Sequence, residues 1–363
     1  MRFRLAREYQ IMLVIGVVLF AAVNLAFAYW SPIFLKFTPT NVARSINPCY
    51  RTIMHQAFQP EKSSASDTEI VLGDSYSEGA GDEFLVSARD YGIFNKLETV
   101  DRHFLIYGRG GYGNRGTVVE FERCSRLLNG ATVFNLASLD AVSDVSFIFY
   151  EGNDLDDNII EEMHQSDSFI YSLRFAFPFV EMFYLKLRSV LSSLNSGSQL
   201  KDSFSPDIQI AHPVTKRGIE FPIYPQGPAT ELSSEETIKA LRILRKSIHQ
   251  IKALLPNEVR YKFLYLPSVA SSYEWSGSIP LQSYFGEPYK LVSSSLIKER
   301  SDHLRSAIKR LVEEAGWEFC DATDAIREVT SKSISVHGPR DWKHFNKVGY
   351  SVVASSYKQC FLR

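Results

Sequence analysis

Four short apolar runs, each ending in glycine or polar residues, most constrain the fold of this chain. They are residues 68–72 (TEIVL), 103–107 (HFLIY), 145–150 (VSFIFY) and 261–266 (YKFLYL). Runs of this length that are rich in β-branched and aromatic residues are typical of buried strands. Helix-like segments separate them, and strands that alternate with helices form a parallel sheet covered on both faces. We therefore predict an α/β fold, a three-layer α/β/α sandwich with a central, mainly parallel sheet.

Two later segments have the periodicity of amphipathic helices. Residues 235–255 carry isoleucine and leucine on one face, and either Ser233 or Ser234 can cap their start. Residues 293–315 repeat the pattern and precede Gly316, a residue favoured just beyond a helix end. We expect both helices to pack against the sheet.

The N-terminal segment is long and apolar enough to be a transmembrane helix. Only Asn24 is clearly polar among the 19 residues at positions 11–29. As a helix they would span about 28 Å, close to the thickness of a bilayer core. Three arginines precede the run, and Tyr29 and Trp30 end it, which is typical of a helix whose N-terminus stays in the cytoplasm. We predict a single-pass anchor in the cell inner membrane, with the remainder on the periplasmic, extracytoplasmic side.

Two other interpretations of this segment stay open. Residues 26–28 (AFA) have the small-x-small form that signal peptidase cleaves, which would make the segment a removed signal peptide. A buried helix of a soluble domain is the other interpretation, although such a helix normally has a polar face. Both the anchor and the signal peptide place the rest of the chain outside the cytoplasm.

The rest of the chain divides into a linker and one large domain. Residues 1–35 form the cytoplasmic tip and the anchor, residues 36–67 form a polar linker, and residues 68–363 form the folded domain. We predict that an insertion at about 158–234 interrupts this domain. Its second half is rich in Ser, Pro and Gly, which is typical of irregular loops. Within the insertion, residues 169–194 combine many aromatic residues with few charges. We expect a helix buried against the domain there, with a lid or membrane-facing element as the alternative.

Charge and cysteine content narrow the range of partners. Forty Lys and Arg against 41 Asp and Glu leave a formal net charge of −1, so no basic excess is available to bind a nucleic acid. Cys49, Cys124, Cys320 and Cys360 match no metal-binding spacing, and we expect neither a metal ion nor a cofactor. One or two disulfides could form in an oxidising compartment, for example Cys49 with Cys360. Four separate buried thiols are the alternative.

A candidate nucleophile follows the first predicted strand. Residues 73–79 (GDSYSEG) begin where the strand ends and open a helix. A serine on such a tight turn exposes its hydroxyl at the carboxyl edge of the sheet, and its backbone N–H points to where an oxyanion would form. Ser75 is therefore the candidate nucleophile, although Asp74 and Ser75 are also ordinary helix-capping residues.

A candidate base and acid lie near the C-terminus. In residues 341–346 (DWKHFN), Asp341 precedes His344 by three positions. The carboxylate can then fix the imidazole tautomer and leave the other ring nitrogen free to accept a serine proton. His337 is a rival base without an acid at this spacing, and an ordinary surface histidine is the alternative for His344.

Two further loops could supply donors to an oxyanion. Asn153 follows the third predicted strand in the sequence EGND, where its amide can donate a hydrogen bond or simply form a turn. Residues 108–114 (GRGGYGN) follow the second predicted strand and could bring the backbone N–H of Gly111 close to a substrate carbonyl. This loop also matches the G-x-G-x-x-G of dinucleotide-binding proteins, but the acidic residue that this fingerprint requires after the next strand has no clear counterpart.

These four blocks, in this order, resemble those of the SGNH hydrolases, also called GDSL-type esterases. The resemblance covers about residues 69–362 outside the insertion and implies an SGNH/flavodoxin-like fold. Glu151-Gly152 stands before Asn153 where the family has a glycine two residues before the asparagine. The phrases EGNDLDDN, YLPS and DWKHFN are more narrowly similar to membrane-tethered SGNH proteins associated with bacterial surface polysaccharides. The residues that the resemblance assigns are Ser75, His344 and Asp341 as catalytic triad, and Ser75, Gly111 and Asn153 as oxyanion hole.

The resemblance implies a serine esterase that removes acyl groups, O-acetyl groups in particular, from a cell-surface glycan without a cofactor. One alternative is an O-acyltransferase of polysaccharide assembly that uses the same triad and a partner membrane protein to deliver the acyl donor. A lipid esterase and a catalytically inactive glycan-binding scaffold are the others. Asp74 is expected to have a structural role in each case.

Overall fold

The computed structural model describes a defined part of the chain, which forms two units. The described residues are 67–81, 92–97, 102–108, 110–130, 142–165, 213–255, 258–284 and 289–362, together with Gly16, Val18, Leu19 and Ala22. One unit comprises residues 1–54 and 164–209, and the other comprises residues 55–163 and 210–363. The predicted linker up to residue 66 and the aromatic segment 169–194 lie outside the described residues.

The predicted membrane anchor also lies almost wholly outside the described residues. Gly16, Val18, Leu19 and Ala22 are helical and exposed. Across the described part of the chain, none of the helices combines the length and the apolar character needed to cross a membrane.

The second unit is built on a five-stranded sheet whose neighbouring strands are all parallel. The strand order is β2-β1-β3-β4-β7. Two further strands, β5 and β6, form a separate antiparallel pair. The four predicted strands are present, and the prediction of a central parallel sheet is confirmed. The strands are β1 (Asp67–Gly73), β2 (Arg102–Gly108), β3 (Val142–Tyr150), β4 (Arg260–Leu266), β5 (Ser278–Gln282), β6 (Tyr289–Ser293) and β7 (Glu318–Asp321).

Helices connect and flank the strands of the sheet. Ser233 caps the fourth helix through a capping box with Glu236, and Ser293 caps the fifth, so both predicted helices begin at a serine. Gly316 follows the fifth helix with a φ of 74°, as its position in the sequence predicts. The helices are α1 (Ser75–Glu78), α2 (Asn114–Gly130), α3 (Asp154–Gln165), α4 (Ser234–Leu254), α5 (Ser294–Glu314), α6 (Thr323–Thr330) and α7 (Lys347–Phe361).

The central strand β3 is buried on both faces, which explains its uninterrupted apolar sequence. Side chains alternate between the faces. On one face, Phe147, Phe149 and Phe263 stack with ring centroids 5.6 to 5.8 Å apart. On the other, Ile148 belongs to a core cluster that includes Tyr357 of α7. Because both faces of the sheet are covered, a functional site is expected in the loops at its carboxyl edge.

The described residues include both ends of the predicted insertion at about 158–234. Helix α3 extends to Gln165, well past the expected start at 158. Residues 213–233 contain no helix or long strand, yet Phe221 is fully buried and its ring contacts those of Tyr273 and Trp342. The buried Phe221 side chain therefore anchors residues 213–233 in the core, beside Tyr273 and Trp342.

The structure pairs Cys360 with Cys320, which differs from the Cys49–Cys360 pairing considered from the sequence. Cys320 lies on β7 and Cys360 in the last turn of α7, with Cα atoms 6.0 Å apart. Helix α7 packs against β7, so the disulfide joins two neighbouring elements of the core. Distance along the sequence gave no indication of this.

A cluster of buried charges crosses the sheet near its amino edge. The Nζ of Lys262 lies 3.0 Å from Oε2 of Glu69 and 3.3 Å from Oδ2 of Asp144, and all three side chains are fully buried. The hydroxyls of Ser146 and Tyr357 also contact the Glu69 carboxylate. Each buried charge thus has partners that offset its loss of hydration.

We predict that Lys262→Met strongly destabilises the protein, since it removes the fully buried cation that Glu69 and Asp144 share. The two carboxylates then keep the more exposed Arg102 and Arg260 as cationic partners. The free energy of unfolding, measured by urea denaturation, should fall by about 3 to 5 kcal/mol. Arg245→Met is the control, because Arg245 and Glu314 form an exposed pair at 2.9 Å whose loss should cost under about 1 kcal/mol. Equal effects of the two substitutions would contradict the prediction.

Candidate active site

Ser75 lies on a tight turn directly after β1. The Asp74 side chain accepts a hydrogen bond from the Tyr76 N–H at 2.9 Å, and Ser77 Oγ donates to the Asp74 carbonyl at 2.6 Å. Gly73 has a φ of 154°, and a Cβ on it would come within 2.8 Å of the Ile148 carbonyl oxygen, so the turn requires glycine. These contacts leave the Ser75 side chain half-buried at the carboxyl edge of the sheet.

The structure brings Ser75, His344 and Asp341 into one hydrogen-bonded line. His344 Nε2 lies 2.8 Å from Ser75 Oγ, and His344 Nδ1 lies 2.7 Å from Asp341 Oδ2. The other Asp341 oxygen accepts hydrogen bonds from the backbone N–H groups of Lys343 and His344. Burial works to raise the pKa of Asp341, but its bonds to His344 and Lys343 outweigh burial and lower it to about 2. Asp341 is therefore a carboxylate at neutral pH and can orient the imidazole.

Two residues that the sequence motifs did not indicate hold the histidine loop in place, and one of them ties it to the serine turn. Tyr76 donates its hydroxyl proton to the Lys343 carbonyl at 2.5 Å, across 267 positions of sequence. Asn346 caps α7 through its oxygen, while its Nδ2 donates to the carbonyls of Ser335, His337 and Gly338. An asparagine just before a helix is a recognisable signal for the cap, but not for the loop contacts.

His337, the rival base, is buried away from the serine. It is 1% exposed, and its Nδ1 contacts the Tyr273 hydroxyl at 3.0 Å. Burial first, and then the charge of His344, lower the pKa of His337 to about 3. A histidine that is neutral at every relevant pH is a poor proton acceptor, so the structure favours His344.

The glycine-rich loop after β2 packs against the serine turn. A Cβ on Gly110 would lie 3.3 Å from the Cβ of Ser75, whereas Gly111 is exposed with a φ of 76°. The N–H groups of Gly113 and Gly116 donate to the two oxygens of Glu161 at 2.8 and 3.0 Å. The chain's own carboxylate thus takes the N–H groups that a bound phosphate would need, which disfavours the dinucleotide interpretation. It also leaves Gly111, rather than Gly113, as the candidate donor.

Asn153 lies between the end of β3 and the start of α3. Its Nδ2 donates to Asp157 Oδ2 at 2.8 Å, and its Oδ1 is buried with no hydrogen-bond partner among the described residues. The preceding Glu151 accepts from the Tyr265 hydroxyl and the Ser268 N–H. This buried carboxylate therefore links the turn after β3 to the end of β4 and the residues that follow it, a role that the EGND sequence did not indicate.

Several carboxyl groups near Ser75 are held away from water. Burial raises the pKa of Asp74 to about 6, despite hydrogen bonds from Tyr76 and Ser75 that lower it. Burial and the charges of Asp74 and Glu161 raise the pKa of Asp157 to about 7. Burial also raises the pKa of Asp154 well above its usual range. Within the described ranges, no three His, Cys, Asp or Glu side chains converge as metal ligands would.

We predict that Asp74→Asn stabilises the protein at pH 8 but not at pH 4. Because folding raises the pKa of Asp74, the folded state binds its proton more tightly. The contribution of Asp74 to stability is therefore present below its unfolded pKa of about 4 and is lost as the pH rises to about 6. The free energy of unfolding of the variant relative to the wild type should rise by up to roughly 3 kcal/mol between the two pH values.

The control for this prediction is Glu274→Gln, since Glu274 is exposed. Its effect on unfolding should be the same at both pH values. A pH-independent effect of Asp74→Asn would contradict the raised pKa.

Comparison with known proteins yields only distant structural likeness. No protein-family model matches the chain, and no curated protein sequence matches it. Similar solved structures include an α/β hydrolase enzyme from the metagenome of Lake Arreo (12% identity, TM-score 0.37, covering 82% of this chain and 95% of that chain). Others are a member of the lipolytic G-D-S-L family from Veillonella parvula (13%, 0.36, 82% and 98%) and an acetylxylan esterase from Geobacillus stearothermophilus (10%, 0.35, 82% and 94%). At these TM-scores the likeness carries no argument about the activity of this chain.

Proposed function

We propose that this protein is a serine esterase of the SGNH type that cleaves acyl esters, O-acetyl esters of a cell-surface glycan in particular. The observation that carries the proposal is the line from Ser75 Oγ to His344 Nε2 at 2.8 Å and from His344 Nδ1 to Asp341 at 2.7 Å. Such a line activates a serine hydroxyl for attack on a carbonyl carbon. The order of the four sequence blocks supports the same proposal.

The first half of the reaction forms an acyl-serine. His344 accepts the Ser75 proton through Nε2 while Ser75 Oγ attacks the ester carbonyl. Asp341 stabilises the imidazolium that results. The backbone N–H groups of Ser75 and Gly111 and the amide of Asn153 donate to the tetrahedral oxyanion, and a single such donor is worth about 3 kcal/mol in other hydrolases. His344 then returns the proton to the departing sugar hydroxyl as the C–O bond breaks.

The second half of the reaction releases the acyl group. A water molecule gives a proton to His344 and attacks the acyl carbon, and the collapse of the second tetrahedral intermediate frees acetate and restores the Ser75 hydroxyl. If a hydroxyl of a second sugar attacks instead of water, the same steps transfer the acyl group. This O-acyltransferase alternative requires a partner membrane protein to supply the donor.

The proposed location follows from the N-terminal segment. A single membrane span at residues 11–29, with the catalytic domain on the periplasmic side, would place Ser75 beside surface polysaccharides and the membrane proteins that assemble them. A neutral net charge is consistent with a glycan and not with a nucleic acid as partner.

We predict that Ser75→Ala lowers kcat/KM for p-nitrophenyl acetate by at least about 10³-fold, because Ser75 supplies the hydroxyl that contacts His344 Nε2. A fluorophosphonate should add to Ser75 of the wild type, as shown by mass spectrometry of the peptide. Ser77→Ala is the matched control, since this hydroxyl points to the Asp74 carbonyl, and the adduct on Ser75 should persist. Unchanged turnover by Ser75→Ala would exclude the serine mechanism.

A second measurement distinguishes hydrolysis from transfer. We expect the protein, incubated with an activated acetyl ester and a glycan, to release acetate faster than it forms acetylated sugar. Accumulation of acetylated sugar would instead establish the O-acyltransferase. No turnover of any ester, with no fluorophosphonate adduct, would favour a glycan-binding scaffold, and turnover of long-chain esters alone would favour a lipid esterase.

A further inference from the structure

Helix α3 presents one polar face to the loops that carry the oxyanion donors. Four polar residues of α3 share a face, because positions 157 and 158 each lie three or four residues from both 154 and 161. They are Asp154, Asp157, Asn158 and Glu161. Asn158 Oδ1 accepts from the Asn114 N–H at 2.8 Å, and Glu161 accepts from the glycine-rich loop. Asp154 accepts from the Tyr150 N–H and from the Asn114 side chain. Three of these side chains thus accept from backbone N–H groups near the site, whereas Asp157 accepts from the side chain of Asn153.

The Asn153 amide does not have the orientation expected at the start of a helix. An asparagine before a first helical residue normally turns its oxygen toward the helix N–H groups. Here Oδ1 is buried with no hydrogen-bond partner among the described residues, and Nδ2 instead points to Asp157. The backbone bond from the Asp157 N–H to the Asn153 carbonyl, at 2.7 Å, keeps the two side chains one turn apart.

The chemistry of the two groups explains this orientation. Above its pKa of about 7, the Asp157 carboxyl group is ionised and can only accept a hydrogen bond, so it selects the nitrogen end of the amide. An amide nitrogen carries two hydrogens, and the bond to Asp157 uses one of them. The second hydrogen is then available to another acceptor. If the amide were reversed, its nitrogen and both hydrogens would occupy the place of Oδ1, and neither hydrogen would be available where Nδ2 now lies.

We propose that Asp157 is a positioning residue that holds the Asn153 amide in the orientation that leaves one N–H for the oxyanion. The inference rests on the proposed function, because Asn153 is an oxyanion donor only if Ser75 attacks an ester. Asp157 acts through Asn153 and touches no reacting atom. It binds the amide before the reaction, so the donor needs no reorganisation when the negative charge develops.

The test is a double-mutant cycle on the full-length chain with p-nitrophenyl acetate as substrate. Asn153→Ala should lower kcat about 10²-fold, as removal of one oxyanion donor does elsewhere. Asp157→Ala should lower kcat about tenfold or more with KM within about twofold, because orientation matters in the transition state. The double variant should be no slower than Asn153→Ala within about twofold, since Asp157 has nothing to orient once the amide is gone.

Two further variants separate positioning from a structural role. Asp157→Asn keeps the shape of the side chain but offers a donor as well as an acceptor, so it no longer selects the nitrogen end of the Asn153 amide and should lower kcat nearly as much as Asp157→Ala. A wild-type kcat in this variant would overturn the positioning role. Asp156→Ala is the matched control: this neighbouring carboxyl group is 1% exposed, and neither of its oxygens has a hydrogen-bond partner among the described residues. It should leave kcat within about threefold, even if the free energy of unfolding changes. The rate at which a fluorophosphonate labels Ser75 provides a second readout that needs no ester.

The outcomes distinguish this inference from the proposed function. A wild-type chain that neither cleaves the ester nor reacts with the fluorophosphonate overturns both. Suppose that the wild type is active. If Asp157→Ala is then as fast as the wild type, or if the losses of the two single variants add in the double variant, the positioning role alone is overturned. Equal losses for Asp157→Ala and Asp156→Ala would also overturn it, because they would show a general effect of emptying this buried face.

Discussion

Parallel strands all end at the same edge of their sheet, and the proposed site depends on this constraint. β1 ends before Ser75, β2 before the glycine-rich loop, and β3 before Asn153. His344, the proposed base, comes from a loop outside the sheet, and the Tyr76 hydroxyl ties this loop to the serine turn. The carboxyl edge of the sheet thus carries three of the four sequence blocks. The hydrogen bond of the Tyr76 hydroxyl helps to hold the fourth block, the histidine loop, beside them.

Two sets of buried charges in this protein follow opposite rules. Near the amino edge of the sheet, Lys262 lies between Glu69 and Asp144, and each of these carboxylates also has an arginine partner, so burial of the charges is offset by pairing. Near Ser75, the carboxyl groups of Asp74 and Asp157 have raised pKa values, because burial is not offset by a cation. Groups of this second kind reduce stability at neutral pH, and they concentrate at sites where orientation of polar groups matters more than stability.

The candidate oxyanion donors show how a helix that follows a strand can organise a site. Helix α3 places carboxyl groups at its first turns, where the helix dipole favours negative charge. One of these groups, Asp157, binds the Asn153 amide, and Glu161 further along binds the glycine-rich loop. The polar residues of this helix therefore bind the loops that carry the candidate donors, while Leu155 and Ile159 are buried in the core.

Local patterns in the sequence determined four of the seven described strands, β1 to β4, and the serine caps of α4 and α5. They also made Ser75, His344 and Asp341 candidates, because each of these features depends on residues close together in the chain. The tertiary structure alone decided that Cys320 is the partner of Cys360, and that residues 213–233 return to the core. It also decided which end of the Asn153 amide faces Asp157 and which glycine packs on Ser75. These features depend on distances and hydrogen-bond directions between segments far apart in sequence, which spacing and composition do not encode.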